Sequence, residues 1–176
     1  MGASVSVVCA NIALEDLETA ALYSFGTRPK LFLRYVDHLF CIISHRHTAH
    51  FLEHLNSFKP SIQFTAEQEN NGRIPFLDVL VERPSSGLRS SVYRKPTHTG
   101  KYLSFDSAHP IGQKRSVAAA LFSRAFRVCS SPTKRRQDLQ FAKRDLLNNG
   151  YPRQLLRTQE RKAAKPHRER AKQSSA

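Results

Sequence analysis

Leu31-Phe32-Leu33-Arg34 and Leu39-Phe40-Cys41-Ile42-Ile43 are short apolar runs on either side of Tyr35-Val36-Asp37-His38. This spacing leaves the chain little local choice, because two β-prone runs around a polar pair predict strand, tight turn and strand. The turn carries a carboxylate and an imidazole side by side, Asp37 and His38. Four residues alone are explained by chain reversal, without any chemical role.

Away from this hairpin the periodicity changes. Val8, Leu14, Leu17 and Ala21 fall near helical spacing, with Glu15, Asp16 and Glu18 opposite, which predicts an amphipathic helix over residues 4–23 that Gly26 and Pro29 end. Phe51, Leu52, Leu55 and Phe58 predict a second helix over Thr48–Phe58, stopped by Pro60. Ile62, Phe64 and Ala66 alternate with Gln63, Thr65 and Glu67, the period of a half-buried strand over 61–68. Asn70-Asn71-Gly72 signals a turn, and Ile74–Val81 and Leu88–Tyr93 are two further strand candidates. Beyond His109-Pro110 the pattern is helical and basic. Val117, Leu121, Ala125 and Val128 mark one helix. Ser131-Pro132 opens another, lined by Leu139, Ala142 and Leu146 and ended by Asn149-Gly150. Tyr151-Pro152 begins a short third helix with Arg153, Arg157 and Arg161 on one face, and residues 161–176 have the composition of a disordered basic tail. The fold class expected is α+β with a mostly antiparallel sheet.

Charge divides the chain. The formal net charge is +14, yet residues 1–88 hold seven Lys/Arg against nine Asp/Glu, whereas residues 89–176 hold 21 against five. The second half is therefore the one that faces a polyanion, with nucleic acid the first candidate and an anionic membrane surface the second. Cys9, Cys41 and Cys129 are odd in number and widely spaced, so neither a disulfide framework nor a zinc pattern follows and a reducing compartment is expected. No apolar run approaches the roughly 18 residues of a membrane span, and no signal peptide is recognisable. The expected location is nuclear or cytoplasmic, neither secreted nor transmembrane. Met1-Gly2-Ala3-Ser4-Val5-Ser6 fits a myristoylation pattern, though one short enough to arise by chance. His47, His50 and His54 share a helix face, but without a nearby carboxylate or Cys they make a weak metal candidate.

Four ordered motifs resemble the C-terminal part of the reverse transcriptase of Penelope-like retroelements, elements of animal genomes including ticks. Met1–Asn11 is similar to that family's Met-Gly-Ser-Pro-Leu-Ser-Pro stretch leading into an Ala-Asn helix. Arg34-Tyr35-Val36-Asp37 resembles its metal-binding turn, which in reverse transcriptases reads Tyr-x-Asp-Asp. Ile74-Pro75-Phe76-Leu77-Asp78 resembles the following strand, and Val92-Tyr93-Arg94-Lys95-Pro96-Thr97-His98-Thr99 the signature beyond it. The likeness continues through Tyr102-Leu103 and Asp106-Ser107-Ala108-His109-Pro110, covering roughly residues 1–157. The segment after His109 also resembles the helix-turn-helix region of animal reverse transcriptases.

The resemblance implies a partial polymerase palm over 1–106 and a helical thumb or helix-turn-helix region over 107–160. The partners it implies are an RNA template and a DNA primer, or other nucleic acid. In an intact family member Asp37 would bind Mg²⁺ in a two-metal mechanism, with cations about 3.5–4 Å apart on the attacking and leaving oxygens. Here His38 replaces the second Asp beside Tyr35, and imidazole suits Zn, Cu or Ni better than Mg. Ala3, Ser4, Val5 and Val7 also depart from the family's pattern, its endonuclease module is not found after residue 157, and the upstream catalytic Asp is expected to lie outside the sequence. Asp37 is therefore a remnant ligand, no cofactor is expected to bind tightly, and polymerase activity is expected to be absent. Asp78 is expected to be a strand carboxylate paired with Arg73, Arg94 or Lys95. The nucleic-acid contacts expected are Gly2 and Ser6 near the template, then Arg94, Lys95, Lys101, Tyr102, Lys114, Arg115, Arg124, Arg127, Lys134, Arg135, Arg136, Arg153 and Arg157. A stand-alone helix-turn-helix nucleic-acid-binding protein is the alternative.

Overall fold

The computed structural model describes residues 4–85 and 87–173, with residues 4–7 and 168–173 described by backbone alone. The fold is α+β, with two small antiparallel sheets. It comprises two compact units, Met1–Gln68 and Glu69–Ala176.

In the first unit, helix α1 (Ser4–Ser24) precedes strands β1 (Leu31–Tyr35) and β2 (His38–Ile42), followed by a short 3₁₀ turn and helix α2 (Thr48–Ser57). The strands pair from Leu31↔Ile42 to Tyr35↔His38, leaving Val36-Asp37 as a two-residue turn. Phe32 is tucked against the core while Leu33 and Tyr35 face outward, 53 % and 60 % exposed, as the period of two requires. The core joins Leu17 and Ala21 of α1 to Phe51 and Leu55 of α2. Each large side chain among them contributes roughly 1.5–3 kcal/mol by leaving water. Val8, expected on that apolar face, is instead 57 % exposed, as is Ile12 at 60 %. His54 has a structural role: its Nε2 lies 2.9 Å from the Ser24 hydroxyl and 3.2 Å from the Ala21 carbonyl, and its ring packs against Phe25 and Phe58. Residues 61–68 form no strand. Instead the Asn56 side chain stands in for a neighbouring strand, accepting from Phe64 N–H at 2.6 Å and donating to Phe64 C=O at 3.0 Å.

The second unit opens on a meander of β3 (Arg73–Phe76), β4 (Val79–Glu82) and β5 (Arg89–Val92). Asn71 and Gly72, both at positive φ, form the tight turn before β3, with Asn70 and Arg73 exchanging two backbone hydrogen bonds. The apolar run expected as one strand over 74–81 folds back at Leu77-Asp78, closed by the Phe76↔Val79 pair. Helices α3 (Ile111–Val128), α4 (Pro132–Asn148) and α5 (Arg153–Gln173) follow. Pro132 sits in the first turn of α4, where a missing N–H costs nothing. At the other end of α4, Gly150 N–H donates to Leu147 and Tyr151 N–H to Leu146, a Schellman closure with Gly150 at φ 83. Ala118, Leu121, Phe122, Ala142, Leu146, Tyr151 and Leu156 make the core. Helix α5 runs through residues 161–173, which composition alone reads as disordered, because Ala164 is buried and Ala163 packs on that core. Ala, Arg, Lys and Gln are also good helix formers.

Candidate nucleic-acid interface

At the first unit's hairpin, the side chains of Asp37 and His38 are 78 % and 56 % exposed, with Asp37 Oδ1 2.7 Å from His38 Nδ1. That hydrogen bond holds the Asp37 carboxyl below the usual carboxylate range. Tyr35 is exposed on the neighbouring strand end. Val36 occupies φ 58, a costly conformation for a β-branched residue and one the two-residue turn imposes. The nearby Glu18 is engaged by Arg34 at 2.7 Å, which also donates to Asn11 at 2.8 Å. Among the described residues no group of three or more His, Cys, Asp or Glu is placed to hold a metal ion. One carboxylate bonded to an imidazole does not fit Mg²⁺, which needs several oxygen ligands in octahedral array.

Burial pushes the Cys41 thiol up to about 11 and raises Cys129 as well, so neither thiol is an activated nucleophile. Gly2 lies outside the described residues, and of Ser6 only the backbone is described.

The second unit sorts the cations expected from sequence as nucleic-acid contacts into two sets. Members of the first have work inside the protein. Arg94 pairs with the buried Asp138 and lies 4.1 Å above the Phe141 ring. Arg124 reaches Asp78 at 3.3 Å. Asp78 therefore sits in the β3–β4 turn rather than within a strand, and its partner comes from α3 rather than from Arg73, Arg94 or Lys95. Lys114 donates to the Ser107 carbonyl at 2.6 Å, Arg135 to the Cys129 carbonyl at 3.1 Å, and Lys134 approaches Glu82 at 3.8 Å. Tyr102 packs against the core, and burial raises its phenol above the ordinary range.

Members of the second set are Lys95, Lys101, Arg115, Arg127, Arg136, Arg153 and Arg157. All seven are exposed, and none has an ion pair among the described residues. They extend from the loop before α3 to the first turns of α5.

A polar lattice fixes that loop on α4. Asn149 accepts from Tyr102 N–H at 3.0 Å and donates to the Gly100 carbonyl at 2.8 Å, while His98 Nε2 lies 3.3 Å from the buried Asp145. Asn149 was legible in sequence only as a helix stop. Nothing local marks its second task, because its partners are nearly fifty positions away.

Helices α3 and α4 are joined by Cys129-Ser130-Ser131 alone, the short connection of a helix-turn-helix. Residues 101–161, which contain α3, α4 and the start of α5, match the model of the animal helix-turn-helix domain. No curated protein and no solved structure matches the chain. A helix-turn-helix match suggests nucleic acid as the class of partner. No helix among the described residues is long and apolar enough to cross a membrane.

Proposed function

We propose that this chain binds nucleic acid through the α3–α5 unit, chiefly by neutralising backbone phosphates. The observation that carries it is the set of seven exposed cations without ion-pair partners among the described residues, six of them on the segment matching a helix-turn-helix domain and Lys95 just before it. Phosphate contacts release counterions and need clustered Lys and Arg rather than base-reading side chains. A reverse-transcriptase ancestry, with α3–α5 as the thumb on a template-primer duplex, is the second reading. The observation favouring it is the Tyr35-Val36-Asp37-His38 hairpin. Under either reading Asp37 and His38 give no two-metal catalysis, and primer extension abolished by Asp37→Ala would overturn that statement.

The binding readings separate by ligand preference. Affinities for random duplex, RNA–DNA hybrid and duplexes selected from a randomised pool are compared across a salt series. Uniform, steeply salt-dependent binding with the hybrid at least equal to duplex supports the thumb. One selected duplex preferred by more than about 1,000-fold, the low end of specific recognition, supports a sequence-reading helix-turn-helix. Failure to bind any of them at low salt refutes both.

A further inference from the structure

The second unit contains a cleft of about 560 Å³ between the outer ends of the meander and the first turns of α4. Four cations line it, Arg73, Arg83, Arg89 and Lys134, against one lining carboxylate, Glu82. Glu82 is already engaged by Arg73 at 3.0 Å and approached by Lys134 at 3.8 Å. Arg83 is paired outside the lining with Glu69, at 3.1 Å from its Nε. The rest of the wall is Pro84 together with hydroxyl, amide and glycine residues, including Ser131 and Thr133, and no aromatic ring contributes. The cleft is built into the framework, because Ser90 N–H donates to the Ser130 hydroxyl at 3.0 Å and the Ser90 hydroxyl donates to the Val128 carbonyl at 2.7 Å. These bonds tie β5 to the α3–α4 turn and fix the two walls relative to each other.

We infer that this cleft is a phosphate seat, taking a backbone phosphodiester of the bound nucleic acid and anchoring the strand at the start of α4. The inference rests on the nucleic-acid reading above and specifies where one part of the ligand goes. Excess positive charge with hydrogen-bonding hydroxyls suits a phosphate, and the absence of any ring on which a base could stack argues against a nucleobase. Arg73, Arg83 and Arg89 lie outside the matched domain and outside the contacts expected from sequence, so the meander joins the helices in gripping the ligand.

Thr133→Glu tests it, because a carboxylate in the first turn of a helix favours folding while opposing an anion in the cleft. Thr19→Glu in α1 carries the same charge change elsewhere. Binding of a labelled random 20-base-pair duplex is followed by anisotropy across a salt series, with thermal unfolding as the folding control. Thr133→Glu is expected to weaken binding roughly tenfold and to reduce the salt slope by about one, while Thr19→Glu changes neither beyond about twofold. If Thr133→Glu is destabilised, Arg89→Gln replaces it with the same expected loss of slope. If the cleft variants bind like Thr19→Glu, the seat is refuted and the nucleic-acid reading stands. If wild type binds no duplex, both fall. In a parallel arm, inorganic phosphate is titrated against the amide spectrum. Shifts at Thr133 and Lys134 without duplex binding would mark a free-anion site and also overturn the inference.

Discussion

Asp138→Ala should cost the second unit about 3 kcal/mol. The side chains of Asp138 and Arg94 are 6 % and 17 % exposed, so both charges have left most of their water. Apart from the Arg94 contact, neither Asp138 oxygen has a hydrogen-bond partner. Removing one member of such a pair leaves the other charged and buried, at about 3–5 kcal/mol. The lower end applies here, because Arg94 keeps some water and its stacking on Phe141, worth about 0.5–2 kcal/mol. Against a stability of about 5–15 kcal/mol for a unit of this size, the loss is large. With a urea dependence of about 1–3 kcal/mol per molar, the midpoint falls by roughly 1–3 M. Far-UV circular dichroism follows it, since α3–α5 supply most of the helical signal. The paired change Asp138→Leu with Arg94→Met should recover most of the loss, because an apolar pair avoids the desolvation cost. A midpoint for Asp138→Ala within about 0.3 M of wild type would refute the reasoning, showing that water reaches the pair.

Three further outcomes are expected. Val36→Gly should stabilise the first unit by about 1 kcal/mol in chemical unfolding and slow amide exchange across β1–β2, since glycine adopts φ 58 without strain. Gly100→Ala should lower the unfolding temperature at a cost of at least 1–2 kcal/mol, roughly, because position 100 sits at φ 69 and a Cβ there would lie 3.2 Å from the Asp145 carboxyl carbon. The Asp37 carboxyl titrates below its unfolded value, so its contact with His38 stabilises the hairpin above about pH 4 and is lost as pH falls through the folded value. An NMR titration should show the Asp37 carboxyl moving upward in His38→Ala.

Local punctuation made much of the fold readable in the sequence. The β1–β2 hairpin follows from two apolar runs around a short polar break, and Asn71-Gly72, Ser131-Pro132 and Asn149-Gly150 mark their turns by backbone chemistry that few other residues share. The Leu77-Asp78 reversal was hidden, since Leu77 at φ 56 is not a turn-forming residue and the bend is closed by the pairing of β3 with β4. Residues 61–68 show strand alternation without strand structure, because alternation describes burial and a ladder also needs a partner edge. At the candidate site, composition located the positive charge but could not divide it. Arg94, Arg124 and Lys101 look alike in sequence; only the fold brings Asp138 and Asp78 to the first two and leaves the third exposed. The cationic cleft was invisible for the same reason, assembled from a meander and a helix end far apart in the chain.

The central claim, that the α3–α5 unit grips nucleic acid by its phosphates, is tested most directly by the slope of log Kd against log salt for wild type on random duplex. Since Kd rises with salt by about 0.9 per phosphate neutralised, the seven exposed cations correspond to a slope near +6, and a slope between about +4 and +6 is expected. A slope near zero, or no binding at low salt, would contradict it.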